Sequence, residues 1–301
     1  MKELEELEYA KEKYNMTEEE IENMYEQVRR LIFGNTLPEK ADQPLAIITG
    51  GQPGSGKSGI VVKSRLDFAE TGREAVILDV DTYRGLYKKS AELAREFPQF
   101  YSEITDPTLG KIMAKLADET VFKGYNFIFE GTLGNTAIIK TIRSSNINYR
   151  IIAKIIGVSR FESLLSIFER YIEMNKSMGF GRLTTIEAHD VRYNNFTKIA
   201  STLEGENIEV EVYKRALDRK VPIRVYKTGD NSPMYPSVIE ALIDSRQESY
   251  RLCMKDAKQR LELINKEIKY NTVDGKILGE LEKLNNIFTK EFAKLDINHE
   301  K

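Results

Sequence analysis

The chain has 301 residues, of which 41% are hydrophobic and 31% charged, and its formal net charge is -2. That composition is ordinary for a globular protein with one large domain or two small ones, and the near-neutral charge gives no reason to expect general affinity for nucleic acid or anionic membrane. A single cysteine, Cys253, and two histidines, His189 and His299, exclude an intrachain disulfide, a cysteine-based zinc site and a histidine-rich metal centre.

Residues 1–38 read as a helical segment. Its opening, Met1-Lys2-Glu3-Leu4-Glu5-Glu6, is acidic and unlike a signal peptide, and no apolar run reaches transmembrane length, so a cytoplasmic location is expected. Thr17 and Glu20 have the spacing of a capping box. Ile21, Met24, Tyr25, Val28, Leu31 and Ile32 then recur at helical spacing up to Gly34. This face either packs on the rest of the chain or docks a partner. Residues 35–43 are a polar connector.

The region 39–235 alternates strands with helices. Leu45 to Thr49 is a short apolar run suited to a buried strand, and Gly59 to Ala69 can form a helix ending at Gly72. Between them lies Gly51-Gln52-Pro53-Gly54-Ser55-Gly56-Lys57-Ser58, which fits G-x-x-x-x-G-K-[ST] at every fixed position. A strand, a glycine loop and a helix in that order aim backbone N–H groups and a helix N-terminus at a phosphate. Lys57 is then expected to reach the β/γ-phosphates of ATP and Ser58 to hold Mg²⁺.

Further strands are expected at 75–79, 126–130, 149–156 and 221–226, the last near an edge or a strand start because of Pro222. Helices are expected at 109–123, 136–144, 161–175 and 185–203. Apolar strands alternating with helices predict an α/β fold of the P-loop NTPase type, a mostly parallel sheet with helices on both faces. Ligands in such sheets bind at the carboxyl ends of the strands. The second strand ends there in Asp79-Val80-Asp81, and Asp81 is the better placed to take a proton from an attacking hydroxyl. One or both carboxylates instead capping the next helix is the alternative. Glu130 ends the third strand, suited to Mg²⁺ or its water shell, with Thr132 placed to hydrogen-bond a ligand; an ion pair at the strand end is the other reading of Glu130. Arg170 lies on a helix and Arg182 in the loop that contains Gly179 and Gly181. They are either surface arginines or cations that close over a triphosphate.

From Pro236 the pattern is helical only. Tyr250, Met254, Ala257, Leu261, Ile264 and Ile268, then Ile277, Leu281, Leu284 and Phe288, flank the turn signal Asp274-Gly275. They predict an antiparallel helical hairpin over 236–301. It is either a packed extension or a cover over the nucleotide cleft that restrains it in cis.

With these residues assembled, the chain resembles the zeta-toxin family of P-loop kinases from about Leu45 to Tyr226. The Gly50–Ser58 loop with its Gln-Pro pair, Asp79-Val80-Asp81-Thr82-Tyr83-Arg84, Gly124-Tyr125-Asn126 through Glu130-Gly131-Thr132, Glu169-Arg170-Tyr171, and Arg182-Leu183-Thr184 through Ala188-His189-Asp190 follow the family's motifs in order. The resemblance implies an ATP- and Mg²⁺-dependent kinase that phosphorylates a sugar hydroxyl of UDP-N-acetylglucosamine, starves cell-wall synthesis and is paired with an antitoxin. It makes Asp81 the base and puts the two charge-stabilising arginines on Arg170 and Arg182. After Glu130-Gly131-Thr132 the family often carries an arginine that touches the sugar nucleotide, where this chain has Leu133-Gly134-Asn135; Glu103 is a candidate for the sugar-side acid. A kinase of another small hydroxyl compound, such as an antibiotic or metabolite, and an ATP-binding module that turns over nothing are the remaining readings.

Overall fold

In a computed structural model, described for residues 2–34, 40–131, 137–179, 181–206, 208–216, 221–231, 234–271 and 274–299, six strands form one sheet. Their order is β2 (Val76–Asp79), β3 (Phe127–Glu130), β1 (Leu45–Gly50), β4 (Arg150–Gly157), β5 (Glu209–Lys214), β6 (Ile223–Lys227). The first five are parallel, and β6 runs antiparallel to β5 as an edge strand entered directly from Pro222. The sheet is therefore mostly parallel, as the alternation predicts.

Strand alternation sends neighbouring side chains of β1 to opposite layers. Leu45 and Ile47 pack with Val61 and Phe68 of α3 (Lys57–Glu70). Ala46 and Ile48 join the larger core, built with α6 (Tyr101–Phe122), α7 (Ala137–Ser144), α9 (Ile186–Gly205) and α10 (Val238–Asn271). Both faces of the sheet are covered. This is why β1 is buried along its whole length and reads as an unbroken apolar run.

The N-terminal segment is two helices rather than one: α1 (Lys2–Lys13) and α2 (Glu18–Phe33). Thr17 stops the first from running on, because its side chain accepts the Glu20 N–H while the Glu20 carboxylate accepts the Thr17 N–H. Gly34 ends α2 at φ +65°. Leu7, Ala10, Tyr14, Met24, Val28 and Phe33 are buried in the main core, so this face packs inward. Leu31, expected on the same face, points outward and is 63% exposed.

Four further elements differ from expectation. The helix predicted to begin at Leu109 starts at Tyr101 and carries Pro107 inside it; proline cannot donate its i→i−4 hydrogen bond, which masks the first two turns in the sequence. The short helices α4 (Val80–Tyr83) and α5 (Ser90–Glu96) have too few turns to show a periodic face. The strand β5 was not expected. Its alternation of Glu209 and Glu211 with Val210 and Val212 was the available signal, and Glu211 is a buried charge held by Arg224 at 3.0 Å.

The C-terminal elements are α10 and α11 (Gly275–His299), joined at Asp274, whose side chain accepts the Lys276 N–H. Ile264, Ile268, Ile277, Leu281, Leu284 and Phe288 are buried together with Leu164, Ile167 and Phe168 of α8 (Arg160–Met178), as the heptad-like spacing predicts. Fully burying a side chain such as Phe288 contributes about 1.5–3 kcal/mol. The first turns of α10 do something else. Val238, Ala241 and Leu242 belong to the core of the sheet, and a Cβ on Gly157 would lie 2.6 Å from Ser245 Cβ, so α10 lies directly against β4.

Candidate active site

The carboxyl ends of the parallel strands open into a cavity of about 1150 Å³. Clefts for one small ligand run to about 300–1,000 Å³, so there is room for a donor and an acceptor side by side. Its lining includes Gly54, Gly56, Lys57, Ser58, Asp79, Asp81, Glu130, Arg170 and Arg182, which come from β1 through to the loop after α8.

The glycine loop lies where β1 turns into α3. Gly56 takes φ +89° and no side chain caps α3, so the helix's first N–H groups are available to a ligand. Gly54, at φ +75°, presses against α8 so closely that a Cβ would run into the Ser163 carbonyl. Lys57 Nζ reaches back to the Gln52 carbonyl at 3.1 Å. Gly51, Gln52 and Ser55 are buried beneath the loop and do not line the cavity. Gln52 instead anchors it, its Nε2 donating to the Val158 carbonyl at 2.8 Å.

Of the two carboxylates, Asp79 takes the capping role that the sequence leaves open. Asp79 caps α4, its Oδ1 accepting the Asp81 N–H at 2.9 Å and its Oδ2 the Thr82 hydroxyl at 2.6 Å. Asp81 faces the cavity. Burial works against its charge, but Arg182 and Arg84 outweigh that and hold its carboxyl well below the usual range. Arg182 donates Nη1 to Oδ1 and Nη2 to Oδ2, each at 2.9 Å. Arg84, itself buried, donates to Asp81 Oδ1 at 2.9 Å, to Asp106 at 2.6 Å and to Thr105.

Glu130 stands opposite Asp79 in the β2–β3 register, and its Oε1 accepts the Ser58 hydroxyl at 3.4 Å. Burial and the neighbouring Asp79 charge push its carboxyl up, while burial pushes the Lys57 ammonium down. Among the described residues no group of three or more Asp, Glu, His or Cys side chains could hold a metal. One hydroxyl beside one carboxylate is nonetheless the protein half of a Mg²⁺ site of the kind that nucleotide phosphates complete. The residues present fit the ion. Thr132 lies outside the described residues, as do Leu133, Gly134 and Asn135.

Arg170 is the least satisfied group in the cavity. Its Nε and Nη2 are buried without a hydrogen-bond partner, and burial together with the Arg182 charge lowers its pKa. A buried guanidinium with two unpaired nitrogens is costly unless an anion meets it. Among the described residues none accepts a hydrogen bond from these two nitrogens. This is the fit expected of a phosphate subsite.

Several lining residues escaped the sequence reading because they are close only in space. Asp106, which lines the cavity with Arg84 and Glu103, is one case; Arg215, just past β5, is another. In the Ala188-His189-Asp190 segment Ala188 lines the cavity, while His189 and Asp190 hold the frame. His189 is fully buried, its Nε2 2.8 Å from Ser163 Oγ and its Nδ1 3.0 Å from Asp190, and Asp190 takes both prongs of Arg160. Among the described residues none beyond Arg215 lines the cavity, because α10 and α11 pack on α8, α9 and the sheet, so the described part of the C-terminal hairpin does not cover it.

A family model described as zeta toxin matches residues 8–231. Toxin PezT of Streptococcus pneumoniae is 29% identical over 212 residues, covering 68% of this chain and 80% of that protein. A toxin zeta of Streptococcus pyogenes is 26% identical over 208 residues, covering 67% and 70%. A solved structure from work on the PezAT chromosomal toxin-antitoxin system of S. pneumoniae superposes with a TM-score of 0.66 at 24% identity, covering 83% of this chain and 98% of that one. Among the described residues no helix is long and apolar enough to cross a membrane.

Proposed function

Because the chain belongs to the zeta-toxin family, we propose that it is a toxin-type kinase, moving the γ-phosphoryl group of ATP to a hydroxyl of a small molecule. UDP-N-acetylglucosamine is the acceptor that the family resemblance favours, with arrest of cell-wall synthesis as the consequence. The observation that carries the reading is the buried Arg170 guanidinium, unpaired at two nitrogens, in one cavity with Lys57, Arg182 and Asp81. A module that only bound nucleotide would have no need of the carboxylate.

The roles follow from position. The N-terminus of α3 and the loop from Gly54 to Ser58 hold the phosphates of ATP. Ser58 and Glu130 would hold Mg²⁺, which would supply positive charge to the phosphates of ATP. Asp81 takes the proton of the acceptor hydroxyl as that oxygen bonds to the γ-phosphorus and the bond to the β-phosphate oxygen breaks, releasing ADP. Lys57, Arg170 and Arg182 stabilise the charge on the phosphoryl group in transit. Arg84 and Asp106 fix Asp81 from the acceptor side, where Glu103 also lies.

Incubation with Mg·ATP and a panel of sugar nucleotides, followed by mass measurement of the products, tests the reading. A singly phosphorylated UDP-N-acetylglucosamine is expected. Phosphorylation of some other hydroxyl compound would favour the second reading, which the absence of an arginine in Leu133-Gly134-Asn135 supports. ATP binding with no transfer to anything would overturn the kinase reading. An antitoxin protein is the proposed partner, on the likeness to a toxin whose solved structure is described as part of a toxin-antitoxin system.

A further inference from the structure

Helix α8 carries Glu162, Ser166 and Glu169 at spacings of four and three, so the three side chains share one face. Arg260 of α10 is set against this face, with its side chain 8% exposed. Its Nε donates to Glu169 Oε1 at 2.7 Å and its Nη2 to Glu169 Oε2 at 2.9 Å. Its Nη1 donates to Glu162 Oε2 at 2.5 Å and its Nη2 to Glu162 Oε1 at 3.3 Å. Asp256, one turn earlier on α10, lies 3.6 Å from the same guanidinium. One planar cation thus bridges two carboxylates, a geometry that guanidinium allows and ammonium does not.

Both carboxylates lead into the nucleotide cavity. Glu162 also accepts Arg215 Nη1 at 2.7 Å, and Arg215 donates to Ser166 at 2.9 Å. Arg215 lines the cavity beside the glycine loop, its Nε 3.5 Å from where a Cβ on Gly56 would stand. Glu169 lines the same cavity and directly precedes Arg170 on α8. Arg260 lies beyond residue 231, where the family match ends.

We propose that Arg260 is a positioning residue for nucleotide binding: it fixes Glu162, and through it Arg215 beside the first turn of α3. The C-terminal helix then contributes to the site without touching the ligand. Without the Arg260 guanidinium, the buried Glu162 carboxylate draws Arg215 further into the protein to replace the lost donors, away from the phosphates. The inference rests on the reading of the cavity as a nucleotide site.

The test uses the full-length chain, with Mg·ADP as probe in titration calorimetry and Mg·ATP in turnover. Arg260→Met is expected to weaken Mg·ADP binding by about tenfold or more, as loss of a charge-assisted bridge implies. The KM for ATP should rise in parallel, with kcat changed by less than about threefold, the signature of lost uniform binding. Arg260→Lys should fall between the two, since it keeps the charge and loses the bridge. Folded Arg260→Met protein with wild-type affinity would overturn the proposal; if that variant does not fold, wild-type affinity in Arg260→Lys would do the same. Failure of the unmutated protein to bind Mg·ADP would instead overturn the nucleotide reading itself.

Discussion

Arg182 and Asp81, 101 residues apart, form a two-pronged ion pair with both N–O distances at 2.9 Å. The carboxylate proposed as base and a cation proposed to meet the phosphoryl group therefore neutralise each other. A carboxyl held well below its usual range by Arg182 and Arg84 is a weak proton acceptor while both stay paired with it. Asp81→Asn should bind Mg·ADP within about threefold of wild type and lose about 10²- to 10⁴-fold in kcat, the span of general base catalysis. Calorimetry beside a phosphoryl-transfer assay reads both; wild-type turnover would remove Asp81 from the mechanism.

Arg170 offers a contrast between stability and activity. Two nitrogens of its buried guanidinium have no hydrogen-bond partner, and burial and a second arginine lower its pKa. Arg170→Met should leave the Tm unchanged or raise it while lowering kcat by about 10²- to 10³-fold. A clear fall in Tm would mean that the side chain supports the fold instead.

Gly54→Ala should damage the loop in two ways at once. The position is at φ +75°, and the new methyl group meets the Ser163 carbonyl of α8. Denaturant melts should show a loss of about 1–3 kcal/mol from backbone strain and crowding, together with loss of Mg·ADP binding.

Acid should loosen the junction of α2 with α6. Glu119 accepts Arg29 Nη2 at 2.6 Å and Arg29 Nε at 2.8 Å, and these bonds bring its carboxyl down to about 2. A carboxyl depressed on folding stabilises above its unfolded pKa and loses that contribution as pH falls toward the folded one. The window here runs from about 4.5 down to about 2. Glu119→Gln should cost about 1 kcal/mol at neutral pH and flatten the stability curve across that window; an unchanged curve would mean the pair contributes nothing.

Deletion of residues 236–301 separates a restraining hairpin from a structural one. The deleted segment includes Val238, Ala241 and Leu242 of the sheet's core and the helix packed on Gly157. Loss of folded protein is expected, seen as insolubility or a missing thermal transition, with toxicity lost. A folded and more toxic truncation would restore the restraining role.

Much of this protein is written in runs of adjacent residues. The strand, glycine loop and helix around Gly51–Ser58, the Thr17–Glu20 cap, and the spacing from Ile264 to Phe288 each depend on near neighbours, so the chain alone specifies them. Less visible were α4 and α5, too short to show a period, and the first turns of α6, interrupted by Pro107. In β5 one of the buried residues is a glutamate, Glu211, whose charge meets Arg224 from the next strand.

The local chemistry of phosphate binding followed from the order of residues, because backbone geometry and helix termini are set within a few positions. The pairing of Arg182 with Asp81, the unpaired state of Arg170 and the reach of Arg260 to Glu162 and Glu169 did not. Those depend on how β2, α8, β5 and α10 come together in one fold, and a charge has no partner until the chain has closed around it.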